Sequence, residues 1–226
     1  MALARYLGLC IDVSDARASG EYWSTMLGWR LELDEDGDGR LRDDAGRTQV
    51  WLNVVPEPKT VKNRLHIDVN AESVQRALDA GARVFQEYPR WTTLLDPDGQ
   101  EHCVFPREPP VEKRAFELIW DCGEGSQACH AIASWWSDVL GGAVMDDDGF
   151  SFIQDIPETP WDYLDFGSVP EPKTTKNRIH IDVHTDDLDA LVAHGATVLR
   201  PKGADGIAWT VLADPDGNEF CAFTED

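Results

Sequence analysis

The chain has 226 residues, enough for one large domain or two ordinary ones, and its 42% hydrophobic content can fill either core. Twenty basic residues face 42 acidic ones, a formal charge of −22. A surface of that sign repels phosphate backbones and anionic headgroups, so neither nucleic acid nor membrane is expected as a partner. The opening stretch, MALARYLGLCIDVSD, holds only a short apolar run that breaks at Asp12, and neither a signal peptide nor a membrane span is expected from it. The five cysteines (Cys10, Cys103, Cys122, Cys129 and Cys221) are odd in number and include no CxxC pair. They do not read as a disulfide framework, and a cytoplasmic location is the simpler expectation.

In chain order, Leu3–Val13 reads as an apolar strand, and Ser14 or Asp15 can cap a following helix. Tyr22, Trp23, Met26 and Leu27 have helical core spacing, and Gly28 supplies the stop. Strands follow at Trp29–Leu33 and Gln49–Val55. Between them DEDGDG (Asp34–Gly39) resembles the start of a calcium loop. Its closing carboxylate would fall at Ala45, so the segment reads as a hairpin turn. A strand at Arg64–Val69 leads into a helix over Glu72–Ala80 that ends at Gly81. Strands at Ala82–Phe85, Trp91–Leu95 and His102–Phe105 complete the set, with DPDG (Asp96–Gly99) turning between the last two.

The same plan then returns. VPEPKTVKNRLHIDV (Val55–Val69) reappears as VPEPKTTKNRIHIDV (Val169–Val183), and LDPDGQEHCVF (Leu95–Phe105) as ADPDGNEFCAF (Ala213–Phe223). YWSTMLGW (Tyr22–Trp29) returns more loosely as WWSDVLGG (Trp135–Gly142). The chain is a duplication. The expected division is residues 1–108, a linker at 109–113 within the proline-rich PREPPVEK segment, and residues 114–226. Each half reads as two βαβββ units. The fold class is α+β, with two consecutive domains each forming a cupped, barrel-like mixed sheet.

These motifs resemble the vicinal oxygen chelate superfamily of glyoxalase I, bleomycin-resistance proteins and extradiol dioxygenases. Within it they are most similar to the glyoxalase-like subgroup marked by KNRxHxD and DPDGNEFC. The resemblance covers nearly the whole chain, twice over. It implies a small-molecule cavity and, in metal-dependent members, a His or Glu on the first strand, a His on the strand opening the second unit and a Glu on the last strand. Such a set leaves positions open for two neighbouring substrate oxygens. His66 and His180 match the second-unit histidine. At the last-strand Glu stand Cys103 and Cys221, with Glu101 and Glu219 two residues earlier on the same strand face. The first-strand position falls on Gly8 in the first half and on Glu117 in the second, and Asp165 is a further, less well placed carboxylate.

The candidate metal set is therefore Glu117, His180, Glu219 and Cys221 in the second domain. The cofactor is either none or one divalent metal there, zinc, nickel, manganese or iron. The competing reading has each His donating to a strand carbonyl or to Asp68 or Asp182, with the Cys as core filler. A thiol nucleophile at Cys103 or Cys221 beside its imidazole is a third reading.

The wider ligand-binding set is Arg64, His66, Trp91, Glu101, Cys103, Arg178, His180, Trp209, Glu219 and Cys221. Arg64 and Arg178 either hold an anionic or phenolic ligand or buttress the sheet through an Arg–Asp pair. The Lys59–Arg64 stretch and its copy can equally be a loop crossing an interface. Trp23, Trp135 and Trp136 sit at core spacing, whereas Trp91 and Trp209 suit the walls of a cavity for flat ligands. The preferred expectation is a binder of a small organic, aromatic or antibiotic ligand, as a monomer or homodimer. The rival is a metal-dependent lyase, isomerase or dioxygenase active mainly in the second domain, lost in His180→Ala and spared in His66→Ala. Vestigial cavities on a protein that works through its surface are the third alternative.

Overall fold

The computed structural model describes residues 2–225, so the outermost positions of the two expected domains, 1 and 226, lie outside it. The first unit is β1 (Arg5–Val13), α1 (Ala16–Leu27), β2 (Arg30–Leu33), β3 (Gly39–Arg42) and β4 (Thr48–Val54). The second is β5 (Leu65–Ala71), α2 (Gln75–Asp79), β6 (Arg83–Glu87), β7 (Thr92–Leu95) and β8 (Glu101–Pro106). The third is β9 (Ala115–Cys122), α3 (Ser126–Leu140), β10 (Ala143–Asp147), β11 (Phe150–Gln154) and β12 (Tyr163–Ser168). The fourth is β13 (Ile179–His184), α4 (Leu188–Ala193), β14 (Thr197–Arg200), β15 (Thr210–Ala213) and β16 (Glu219–Phe223). No helix among the described residues is long and apolar enough to cross a membrane.

Local chemistry explains the elements. The Asp15 carboxylate caps α1 by accepting from the Arg17 and Ala18 amides at 2.9 and 3.0 Å. The helix buries Tyr22, Trp23, Met26 and Leu27 and stops at Gly28, whose φ of 76° is left-handed. The expected helix over Glu72–Ala80 is shorter, because Val74 at its start offers no side-chain cap. DEDGDG is the hairpin between β2 and β3, closed by the Asp34 amide donating to the Asp38 carbonyl at 2.8 Å. Each DPDG turn buries its first aspartate, which accepts an indole N–H from the preceding unit's helix. Trp23 Nε1 reaches Asp96 at 3.0 Å, and Trp136 Nε1 reaches Asp214 at 3.1 Å. Trp136→Phe removes that donor from a buried carboxylate, and a loss of about 1–3 kcal/mol is expected in urea unfolding.

Two open, mixed sheets of eight strands result, ordered β14-β15-β16-β13-β1-β4-β3-β2 and β10-β11-β12-β9-β5-β8-β7-β6. The units therefore pair across the halves: first with fourth, second with third. This corrects the expectation that each consecutive half closes its own sheet. The reason lies in the linker. Arg107 N donates to the Ala71 carbonyl at 2.8 Å and Asn70 N to the Arg114 carbonyl at 2.9 Å. Both ends of the 107–114 segment are thus tied to the end of β5, and β9 is laid along the free edge of β5. The seams are antiparallel, β1 on β13 with Cys10 opposite His180, and β5 on β9 with Asp68 opposite Glu117. The near-identical VPEPK segments carry the chain from one sheet to the other.

The cysteines need a second correction. Cys122, ending β9, and Cys129, in the first turns of α3, form a disulfide with Cα atoms 5.3 Å apart. The tight turn through Gly123–Gly125 brings them together, which a count of cysteines does not register. Cys10, Cys103 and Cys221 are free and buried.

Candidate metal centre and ligand cups

The concave face of the second sheet gathers side chains from both halves. His66 and Asp68 come from β5, Cys103 from β8, Glu117 from β9 and Asp165 from β12. His66 Nε2 lies 3.4 Å from Asp68 Oδ1 and 4.0 Å from Cys103 Sγ. The Cys103 amide donates to Asp68 Oδ1 at 3.0 Å. Glu117 and Asp165 repel each other, and Asp68 adds to that repulsion. Burial, then mutual repulsion, raises the affinity of these carboxyls for protons far above the ordinary range. Burial, with Lys62 and His102 adding to it, pushes His66 down to about 3, so its imidazole is neutral. Asp165 Oδ1 is buried without a hydrogen-bond partner.

Aromatic rings run along the wall of this cup. Trp91 stacks on Tyr88 and Phe105 at 4.8 and 5.7 Å. Phe105 meets Phe116 at 5.0 Å, Phe116 meets Tyr163, and Tyr163 meets Phe152 at 5.5 Å. The Arg107 guanidinium lies over Phe105 and Phe116 at 5.5 and 5.1 Å.

The first sheet's cup has the same frame and different chemistry. Gly8 pairs with Asp182 as Glu117 pairs with Asp68, so the first-strand carboxylate is missing. Trp51 holds the register position of Asp165 and adjoins Gly8, where a Cβ would meet its Nε1 at an ordinary contact distance of 3.6 Å. Arg40 stacks over Trp51 at 5.3 Å, and Trp209 meets Phe223 at 5.5 Å. His180, Asp182, Cys221 and Cys10 are all buried here. A cavity of about 310 Å³ is lined by Leu7, Gln49, Trp51 and Phe223 among others, and by none of those four.

The expected set of Glu117, His180, Glu219 and Cys221 is not brought together. Glu117 belongs to the second sheet with His66, and His180 and Cys221 to the first, because units pair across the halves. Glu101 and Glu219 do share strands with the cysteines, but they are engaged elsewhere. Glu101 pairs with Lys59 at 2.7 Å and Glu219 with Lys173 at 2.8 Å, and each accepts the amide of Asn63 or Asn177. Arg64 and Arg178 point away from both cups into a cavity of about 540 Å³ between the crossing segments. Arg178 there pairs with Asp98 at 3.3 Å, a buttress of the expected kind with a different aspartate. Trp91 stacks on Phe105 and Trp209 meets Phe223, the equivalent pair in the other sheet. Burial raises the Cys103 and Cys221 thiols, against which His180 lowers Cys221. Arg107, Phe105, Phe116 and Cys10 were not anticipated. Phe105 is legible as two residues beyond Cys103 on the same strand face; the others depend on the seam.

The glyoxalase-like domain model matches residues 8–105 and 121–223. The chain belongs to the glyoxalase-like domain family, within the vicinal oxygen chelate superfamily. Glyoxalase I from Zea mays has a similar fold, with a TM-score of 0.69 at 16% identity over 97% of this chain and 92% of that one. So does a putative dioxygenase from Bacillus subtilis, with a TM-score of 0.63 at 11% identity over 97% and 86%. The cppA protein of Streptococcus pneumoniae follows, with a TM-score of 0.53 at 11% identity over 98% and 99%. No curated protein sequence matches the chain.

Proposed function

We propose that the protein binds a small organic substrate in the cup of the second sheet and acts on it as a metal-dependent isomerase, lyase or dioxygenase. The observation that carries this reading is buried Glu117 and Asp68 with half-buried Asp165 in the same cup as a neutral imidazole, Asp165 Oδ1 being buried and left unpartnered. Three carboxyls out of water need either protons or a cation, and a neutral His66 offers a nitrogen lone pair beside them. The reading places a divalent metal on His66 with Glu117 and Asp165 as oxygen donors, beside the His66, Asp68 and Cys103 group whose donor atoms lie within 4.8 Å of one another. Once bound, such an ion supplies Lewis acidity to a substrate oxygen. The chain's own residues do the rest. Phe105, Phe116, Trp91 and Tyr163 stack against a flat substrate, and Arg107 at the wall offsets negative charge on it. A carboxyl with raised proton affinity is suited to take up and return a proton at neutral pH.

Binding of nickel or manganese by the chelator-treated protein tests the reading. His66→Ala and Glu117→Gln are each expected to weaken it by at least about tenfold, the lower end of what second-shell changes cost. His180→Ala is expected to leave it intact, the reverse of what pairing within each half predicts. Loss in His180→Ala alone, or no binding at all, overturns the proposal. Metal-free quenching of the wall tryptophan by planar aromatics would then favour sequestration of a drug-like ligand, as in bleomycin-resistance proteins.

A further inference from the structure

The strongly acidic chain gathers its cations in one place, away from both cups. The cavity of about 540 Å³ between the crossing segments is lined by five of the twenty basic residues, Lys62, Arg64, Lys173, Lys176 and Arg178. Only four of the 42 acidic residues line it, Asp12, Glu57, Asp121 and Glu171. The lining follows the repeat, with Thr60, Lys62 and Arg64 from one copy matched by Thr174, Lys176 and Arg178 from the other. Arg64 donates to the Glu171 and Asp121 carbonyls at 2.7 and 3.1 Å, and Arg178 to the Glu57 and Asp12 carbonyls at 2.8 and 2.9 Å. A neutral carbonyl orients a guanidinium without cancelling its charge. Arg178 also has Asp98 at 3.3 Å, and the Nε of each arginine is buried without a hydrogen-bond partner. Lys173 is engaged by Glu219 at 2.8 Å. Lys62 and Lys176 hold Asp121 and Asp12, yet their side chains are 56% and 57% exposed. An ammonium has three donors, so each lysine can keep its aspartate and still bond a ligand. Glu57 and Glu171 are exposed, where solvent screens them.

We propose that this cavity binds a small ligand bearing two phosphate groups. Two matched sets of donors suit a ligand with two like anionic ends, and a single phosphate engages only one set. Each end meets a half-exposed ammonium, an anchored guanidinium charge and a threonine hydroxyl, the donor types that recognise phosphate. The volume lies within the range of small-molecule sites and leaves room for an organic group beside the phosphates. A long polyanion has to lie along the acidic surface outside the cavity, which repels it, so a compact ligand is favoured over a nucleic acid. None of the donors named in either cup lines this cavity. The site is therefore separate from the second-cup metal and does not depend on it.

Inorganic pyrophosphate is the probe, titrated calorimetrically into full-length protein stripped of metal and then freed of chelator. One pyrophosphate per chain is expected, with an affinity that falls as salt rises. Lys62→Gln and Lys176→Gln are each expected to weaken binding by about tenfold or more, the loss of one charge-assisted hydrogen bond. The two losses are expected to be equal, because the two copies supply equivalent donors. Inorganic phosphate, with one end, is expected to bind at least about tenfold more weakly than pyrophosphate. Hydrogen exchange on the unaltered chain requires no substitution, and pyrophosphate is expected to protect amides within residues 57–64 and 171–178 together. Absence of binding, binding indifferent to both lysines, protection of one segment alone, or phosphate binding as tightly as pyrophosphate each overturns the proposal.

Discussion

Cut after Lys113, each half of the chain is expected to form a dimer, and a mixture of the two is expected to rebuild the native fold. Each half contributes one unit to each sheet, so neither half owns a complete one. The cut leaves β1 without β13 and β5 without β9, exposing the edges of strands that are central in the intact sheets. It also breaks seam-edge hydrogen bonds such as Asp12 N to Arg178 O and Asp121 N to Arg64 O, each 2.7 Å. Leu9, Ile11, Ile67, Leu118 and Ile181, all fully buried, would lose part of their cover. Long open edges with apolar faces seek pairing. The near-identical strand NRxHIDV in the two halves lets a second copy stand in for the missing one, giving two copies related by a two-fold axis. Light scattering is therefore expected to give twice the half-chain mass. A half that is monomeric with native-like near-ultraviolet circular dichroism would show that pairing across the halves is dispensable.

The same exchange of units explains what was legible in the sequence. The repeat, the Asp15 cap, the DPDG and DEDGDG turns and the core tryptophans follow from local chemistry, and the structure has each of them. Which unit pairs with which is not local. The four units carry similar strands with similar edges, and choice among them rests on the linker bonds to Ala71 and Asn70. His66 matches the second-unit histidine and Glu117 the first-strand donor, yet Glu117 was grouped with His180, and Asp165 was undervalued. Alternation correctly placed Glu101 and Glu219 on the strand face of the cysteines. It has no means of seeing Lys59 and Lys173, which come from loops and draw both carboxylates into ion pairs. The Cys122–Cys129 bond was missed because strand-to-helix proximity decides it.

Metal-free protein is expected to lose stability as pH rises from 7 to 9, and Glu117→Gln is expected to flatten that loss. The Asp68, Glu117 and Asp165 group titrates between about 7 and about 9, raised first by burial and then by mutual repulsion. In the unfolded chain the same carboxyls ionise near pH 4. The folded state binds more protons, so its advantage is complete only below about pH 4 and is lost as pH rises from there through the folded values. Each retained proton contributes a slope of about 1.4 kcal/mol per pH unit. Replacing Glu117 by Gln removes one such proton and relieves its neighbours, a gain on the order of 3 kcal/mol at alkaline pH. His66 and His102 act with opposite sign. Burial depresses them to about 3 and about 4, so they stabilise above pH 6.5 and cost stability as pH falls through those values. Unfolding midpoints in urea between pH 7 and 9 isolate the carboxyl arm from the histidine arm. Nickel or manganese should reverse the slope, because the ion competes with those protons for Glu117 and Asp165. If stability instead rises with pH in the metal-free chain, the carboxyls are already ionised and paired, and the case for a cation in the second cup loses its physical basis.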